Sequence, residues 1–387
     1  MEKLKRAEEV NICKSIKLGR LYREGDRYDL SLKEFERIFS NISYKDDLSL
    51  YNMILNEIEI TQGKRVLESK PRGLAITLTN RCNIRCIMCS VWQNSWDMPE
   101  KTVKEIMELF PYLQRIFWQG GEVFLSPHFE ELFEKVSSYP NIRQDINTNG
   151  LLINREWAKK LVKANANIIF SIDGITKETY EYIRRGAKFE DLLKSIELLN
   201  EYMEDSEGDT NHTGRKSSTI INLVVMRSNY YQLGGFIDFA KKYRFDRLQI
   251  TPVDIGNQEN LFLHRDVEAL AYIDKIMPEI LEKAKAYGIS VSNWLPSAEI
   301  NCHTARSNRI LCNWPWQFLF IDWSGKVKPQ CFCVKEVGNI CNNTIEEIWN
   351  NDVMQTYRQK LFDNDCQNWC DKRCISGKIS KEDLSLD

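Results

Sequence analysis

Three cysteines within eight positions constrain this chain more than any other feature. The stretch Asn80-Arg81-Cys82-Asn83-Ile84-Arg85-Cys86-Ile87-Met88-Cys89 sets its thiols at C-x3-C-x2-C, just after the apolar alternation of Leu74, Ile76 and Leu78. That alternation predicts a strand, so the thiols fall on the loop that leaves it. Thiolates are soft donors that select zinc or iron-sulfur clusters. A [4Fe-4S] cluster held by three protein thiolates keeps one iron open to a non-protein ligand, whereas structural zinc is closed by four protein ligands. The nearest histidine is His128, so a zinc reading needs a fourth ligand from far away.

Composition narrows the setting. With 387 residues, 43% hydrophobic and 28% charged, the chain can build two or three packed domains. A formal net charge of −2 supplies no basic field for nucleic acid, and the apolar runs fall short of the roughly 20 residues that cross a bilayer. The charged start, Met1 to Glu9, lacks a secretory apolar core, so a cytoplasmic location is expected. In that reducing compartment the twelve cysteines serve metal binding rather than disulfides.

Three domains are expected. Residues 1–70 read as a helical extension, with Leu32, Phe35, Ile38 and Phe39 on one face and Leu50, Ile54, Ile58 and Ile60 on another. It is either a cap on the core or a substrate-contacting module. Residues 71–290 alternate strand and helix patterns, the strands at 74–78, 115–118, 145–147, 167–172, 219–226 and 247–251. Helices are expected at 100–110, at 155–163 behind an Asn154 cap, and near 177–203, 230–243 and 265–286, the last kinked at Pro278. Parallel strands with helical crossovers follow from that alternation, and six units do not close an eight-stranded barrel. Residues 205–218 read as a mobile surface loop. Residues 291–387 form a small cysteine- and tryptophan-rich module, with a hairpin turn at Asp322 to Gly325 and a capping box from Thr344 to Glu347. Trp314, Trp316 and Trp323 fill its thin core or stack on a substrate.

The cysteine loop is followed by Gly120-Gly121-Glu122, Thr148-Asn149-Gly150 and Ser171-Ile172-Asp173-Gly174, each after a further strand. In this order the elements resemble the radical S-adenosylmethionine (SAM) superfamily, over about residues 73–254. The resemblance implies an α/β fold with a partial (βα)6 TIM barrel and a [4Fe-4S] cluster on Cys82, Cys86 and Cys89 whose open iron takes SAM. It implies that Gly120, Gly121 and Glu122 receive the SAM amino group. Ser171 and an arginine of Arg184-Arg185, with Arg184 preferred, meet the carboxylate; Asn149 bonds the ribose, and Met88 and Val225 flank adenine. Reductive cleavage of SAM would then give a 5′-deoxyadenosyl radical that removes a substrate hydrogen atom. An electron donor such as flavodoxin or ferredoxin is implied; the catalytic residues proper are left open.

The C-terminal cysteines resemble the SPASM and twitch extensions of that superfamily, although the full C-x2-C-x5-C-x3-C run is absent. One auxiliary [4Fe-4S] cluster on Cys312, Cys331, Cys370 and Cys374 is expected, with Cys333 and Cys366 as substitutes. Cys302 and Cys341 are second-cluster ligands or small buried hydrophobes, and a zinc knuckle is the competing reading. The twitch-like reduction implies oxidation of a small polar substrate such as a sugar or cyclitol. The alternatives are a peptide or protein maturase and a non-catalytic electron carrier, and the Gly-Gly-Glu turn argues against the carrier.

Overall fold

The computed structural model describes residues 2–93, 95–205, 216–253, 261–263, 266–295, 312–363, 365 and 368–371. The chain divides into two compact units, one of residues 1–75, 98–116 and 307–387, the other of 76–97 and 117–306. In chain order the strands are β1 (Gly73–Thr77), β2 (Arg85–Cys86), β3 (Arg115–Gln119), β4 (Arg143–Thr148), β5 (Asn167–Ser171) and β6 (Arg184–Arg185). They continue with β7 (Ser218–Val225), β8 (Arg247–Pro252), β9 (Ser290–Asn293), β10 (Phe318–Ile321), β11 (Lys326–Lys328) and β12 (Gly338–Asn339).

In the second unit β4, β5, β7, β8 and β9 lie side by side, every pair parallel. Helices Arg155–Lys163, Lys177–Ile183, Phe189–Asp205, Phe236–Lys242 and Val267–Tyr287 connect them, the alternation of a partial βα barrel. Side chains alternate between the faces of each strand. One face carries Ile146, Ile168, Phe170, Ile221, Leu248 and Ile250, all wholly buried, at roughly 1.5–3 kcal/mol of burial each. The other carries Asn147, Ser171, Asn222, Val224, Gln249 and Thr251, all half-buried.

The expected strands are present, and β9 is added. The stretch expected as one helix over 177–203 is two, because β6 interrupts it to pair antiparallel with β2, Arg85 opposite Arg185 and Cys86 opposite Arg184. Gly186, at φ +91°, turns the chain out of that ribbon in a conformation that favours glycine. The helix expected from 230 opens as a 3₁₀ turn, Tyr230–Gly235, and Val267–Tyr287 runs through Pro278. Asn154 caps its helix by accepting from the Trp157 N–H at 2.9 Å. Most of the expected 205–218 loop, residues 206–215, lies outside the described residues.

In the first unit, helices Glu2–Glu24, Tyr28–Phe39 and Leu48–Thr61 close around Ile16, Phe35, Ile38, Met53, Ile54 and Ile58. The fully buried Glu57 pairs with Arg20 at 2.7 Å, Arg23 at 2.7 Å and Arg72 at 2.8 Å. These guanidinium groups hold its carboxyl well below the usual carboxylate range, although burial alone pushes the other way. β10 and β11 form the expected hairpin, and the Thr344–Glu347 box closes reciprocally at 2.9 and 3.2 Å. Trp316 is buried with its indole N–H on the Lys64 carbonyl, and the half-buried Trp314 meets Phe318 edge-on.

Candidate functional site

The cysteine loop follows β1 and is fixed by side chains at its start and end. Thr79 and Asn80 hold Trp96 at both backbone groups: Thr79 Oγ1 donates to its carbonyl at 3.0 Å, and Asn80 Oδ1 accepts its N–H at 2.6 Å. Arg81 pairs with Asp97 at 2.9 Å. Farther along, Arg85 lies over the Trp92 ring, and the Trp92 indole donates to the Cys89 carbonyl at 2.8 Å. All three thiols are partly exposed. Burial pushes the Cys82 thiol up and the Cys86 thiol up to about 11, the latter opposed by Arg184. Metal loading must therefore expel protons from these sulfurs. Among the described residues no three His, Cys, Asp or Glu side chains converge on a single ion. A cluster asks for something else, one thiolate for each of several irons, and the soft three-thiol loop fits that demand.

After β3, Gly120 and Gly121 lie against this loop. Gly120 has φ +132°, and a Cβ there would come within 2.5 Å of the Thr79 carbonyl oxygen; one on Gly121 would collide with the Arg81 carbonyl. The N–H groups of Gly121 and Glu122 donate to the carbonyls of Thr79 (2.8 Å) and Arg81 (2.7 Å). The glycines are thus required by the approach of two backbones. Glu122 is buried, its carboxylate accepting from Thr148 Oγ1 at 2.7 Å and from the Asn149 N–H at 2.9 Å. Burial pushes its carboxyl up to about 7, against those two hydrogen bonds. Asn149 in turn donates through Nδ2 to Asn83 Oδ1 at 2.8 Å and stands 3.9 Å from Cys82 Sγ. The expected turn motifs are therefore one connected construction around the cysteine loop.

The remaining expected residues are placed less uniformly. Ser171 ends β5 and donates to Asn147 Oδ1 at 3.4 Å. Arg184 is buried, with Nη2 2.7 Å from Asp173 Oδ2, Nη1 3.7 Å from Cys86 Sγ, and Nε buried without a hydrogen-bond partner. Met88 packs with Ile183, Met226, Val253 and Leu261, and the β7 residue at that cluster is Val224. Val225, expected beside Met88, is buried on the opposite face of β7, because neighbours along a strand point to opposite sides.

The sequence reading missed a polar row. Ser171, Asn222, Gln249 and Ser292 are successive register partners across β5, β7, β8 and β9, so their side chains share a face. Asn222 Oδ1 is buried without a partner. Val224, two residues on, places this row about 7 Å along the strand from the Met88 cluster. Only the strand register reveals it; in sequence these are scattered polar residues.

In the C-terminal module Cys333 and Cys370 form an antiparallel bridge, reinforced by Val334 N–H to Trp369 O at 2.9 Å and Asp371 N–H to Phe332 O at 3.0 Å. Cys312 and Cys333 are buried, Cys370 half-buried and Cys331 exposed. Cys341 is exposed, with Sγ 3.6 Å from the Ser324 carbonyl. Cys302, Cys366 and Cys374 lie outside the described residues.

Two family models match the chain. One, the radical SAM superfamily, covers residues 76–214; the other, SPASM, an iron-sulfur cluster-binding domain, covers 312–375. The chain therefore carries a radical SAM domain and, after it, a SPASM domain. A [4Fe-4S] cluster with SAM belongs to the first domain and auxiliary iron-sulfur binding to the second. Among curated relatives, the GTP 3′,8-cyclase of Desulforamulus reducens is 31% identical over 134 residues, 32% of this chain and 41% of that one. The mycofactocin maturase MftC of Mycobacterium ulcerans is 26% identical over 179 residues, 45% of each. The chain spans under half the length of these relatives. The fold is shared with Streptococcus suis SuiB bound to its precursor peptide SuiA, at TM-score 0.56 and 16% identity over 79% of this chain and 71% of that one. No helix among the described residues is long and apolar enough to cross a membrane.

Proposed function

We propose that the protein modifies a peptide by radical SAM chemistry. The observation that carries this reading is the pairing, in one chain, of a radical SAM domain with a SPASM domain, as the likeness to MftC and to the peptide-bound SuiB would have it. The small polar substrate implied by the twitch-like spacing becomes the second reading, supported by the likeness to GTP 3′,8-cyclase.

Cys82, Cys86 and Cys89 hold the first cluster and leave one iron for SAM. The chemistry that the bound cluster and SAM supply is reductive cleavage of SAM and removal of a hydrogen atom from the substrate. The chain's own part is binding and geometry. Glu122, already accepting two hydrogen bonds, has lone pairs left for the SAM amino group. Ser171 and the unpartnered Nε of Arg184 would take the carboxylate, and Asn149 would bond the ribose. Met88 and Val224 exclude water beside the adenine, in the place expected of Val225. Asn147, Asn222 and Gln249 offer carboxamides to the substrate, and Asn222 Oδ1 asks for an N–H donor of the kind a peptide backbone carries. Cys312, Cys333, Cys370 and Cys374 hold an auxiliary cluster, Cys333 replacing Cys331 because it is the one bridged to Cys370. A strong reductant, flavodoxin or ferredoxin in kind, completes the system.

The test is to incubate the anaerobically reconstituted protein with SAM, reductant and each short peptide that a search of the neighbouring reading frames yields. A SAM-dependent mass change in one peptide, absent with Cys82→Ala, is expected. Unmodified peptides, together with 5′-deoxyadenosine release that rises on adding a nucleotide or sugar, would favour the second reading.

A further inference from the structure

The guanidinium of Arg184 is clamped from behind and aimed at a cysteine. Cys86 and Arg184 are register partners in the β2–β6 ribbon, and Arg184 Nη1 lies 3.7 Å from Cys86 Sγ, within hydrogen-bonding range of sulfur. On its other side Nη2 is 2.7 Å from Asp173 Oδ2. Asp173 is itself fixed: it is fully buried, its Oδ1 accepts the Val224 N–H at 2.9 Å, and its carbonyl accepts from Asn229 Nδ2 at 2.9 Å. A planar guanidinium paired with a fixed carboxylate through Nη2 keeps its other N–H groups in the plane of the fork, which a flexible lysine does not. Arg184 is only 5% exposed, so water competes little for the contact.

We infer that Arg184, held by Asp173, is a positioning residue that donates through Nη1 to Cys86 Sγ and so sets the reduction potential of the first cluster. The inference rests on the reading of Cys86 as a cluster ligand. Reduction adds negative charge that spreads onto the ligand sulfurs; an N–H donor and a neighbouring cation stabilise that charge and raise the potential. The ribbon that interrupts the expected helix is what brings the two residues together.

The experiment is a redox titration of the full-length protein, followed by electron paramagnetic resonance on the signal that Cys82→Ala removes. SAM is left out, so that carboxylate binding plays no part. Arg184→Gln, too short to span Asp173 and Cys86, should shift the one-electron reduction equilibrium at least tenfold toward the oxidised form, about 59 mV. Arg184→Lys, which keeps the charge, should fall between. An unchanged potential in Arg184→Gln would overturn the inference. Should that variant fail to retain the cluster, unaltered protein labelled with 15N-arginine decides: a nitrogen coupling to the reduced cluster supports the contact, and its absence overturns it. If the unaltered protein gives no Cys82-dependent signal, the ligand reading fails and the inference with it; a signal with neither shift nor coupling defeats the inference alone.

Discussion

Glu122 shows what a single residue does here and how its role differs from the motif's face value. The Gly-Gly-Glu turn was legible in sequence, but its glutamate reads there as an open acceptor, whereas it also braces Thr148 and Asn149 from inside the protein. Glu122→Ala would strand those two donors, so Glu122→Gln is the cleaner probe. In the cluster-free protein the carboxyl titrates near 7 when folded against an ordinary 4.5, so between those values the folded state binds the extra proton. Stability then falls as pH rises from about 4.5 to 7, by roughly 3 kcal/mol. Urea unfolding across that window should show the slope, and Glu122→Gln should flatten it; identical slopes would show that burial does not control this group. In reconstituted protein the same substitution should weaken SAM binding about tenfold or more by calorimetry, since a charged hydrogen bond contributes roughly 1.5–3 kcal/mol. That Val224 and not Val225 lies on the Met88 side of β7 has a simple cause, because composition cannot fix strand parity but register can.

Elements with strong periodicity or turn chemistry could be read from sequence, and those created by tertiary pairing could not. The helix Arg155–Lys163 with its Asn154 cap and the Thr344–Glu347 box carry their signals locally. β6 does not: Arg184 and Arg185 continue a helical pattern, and only β2 across the way makes them a strand. β9, Ser290–Asn293, is short, polar and partly exposed, so its pattern resembles a loop until β8 supplies the partner. Gly121→Ala drives a Cβ into the Arg81 carbonyl, so the cysteine loop must move. The variant should keep its helical circular dichroism yet lose iron from the first site on reconstitution; full iron retention would mean the loop yields without consequence. Thr344→Ala should lower stability by about 1 kcal/mol without touching either site.

For the molecule as a whole, the two family-model matches restate the order read from the cysteines, a three-thiol loop first and a SPASM module last. Within that module Cys331 and Cys333 are two residues apart, and the backbone β-bridge that pairs Cys333 with Cys370 is a tertiary contact the sequence does not carry. Cys333→Ala should abolish the auxiliary signal while Cys331→Ala keeps it, and the reverse outcome would return the role to Cys331. The central claim is that Cys82, Cys86 and Cys89 hold the cluster that opens SAM. Its most direct measurement is 5′-deoxyadenosine release by the reduced, reconstituted protein, beside a variant with all three cysteines changed to Ala. The account predicts release by the unaltered protein and none by the variant, which should lose about half the iron yet keep an auxiliary [4Fe-4S] signal. Zinc in place of iron, or equal release by both proteins, would contradict it.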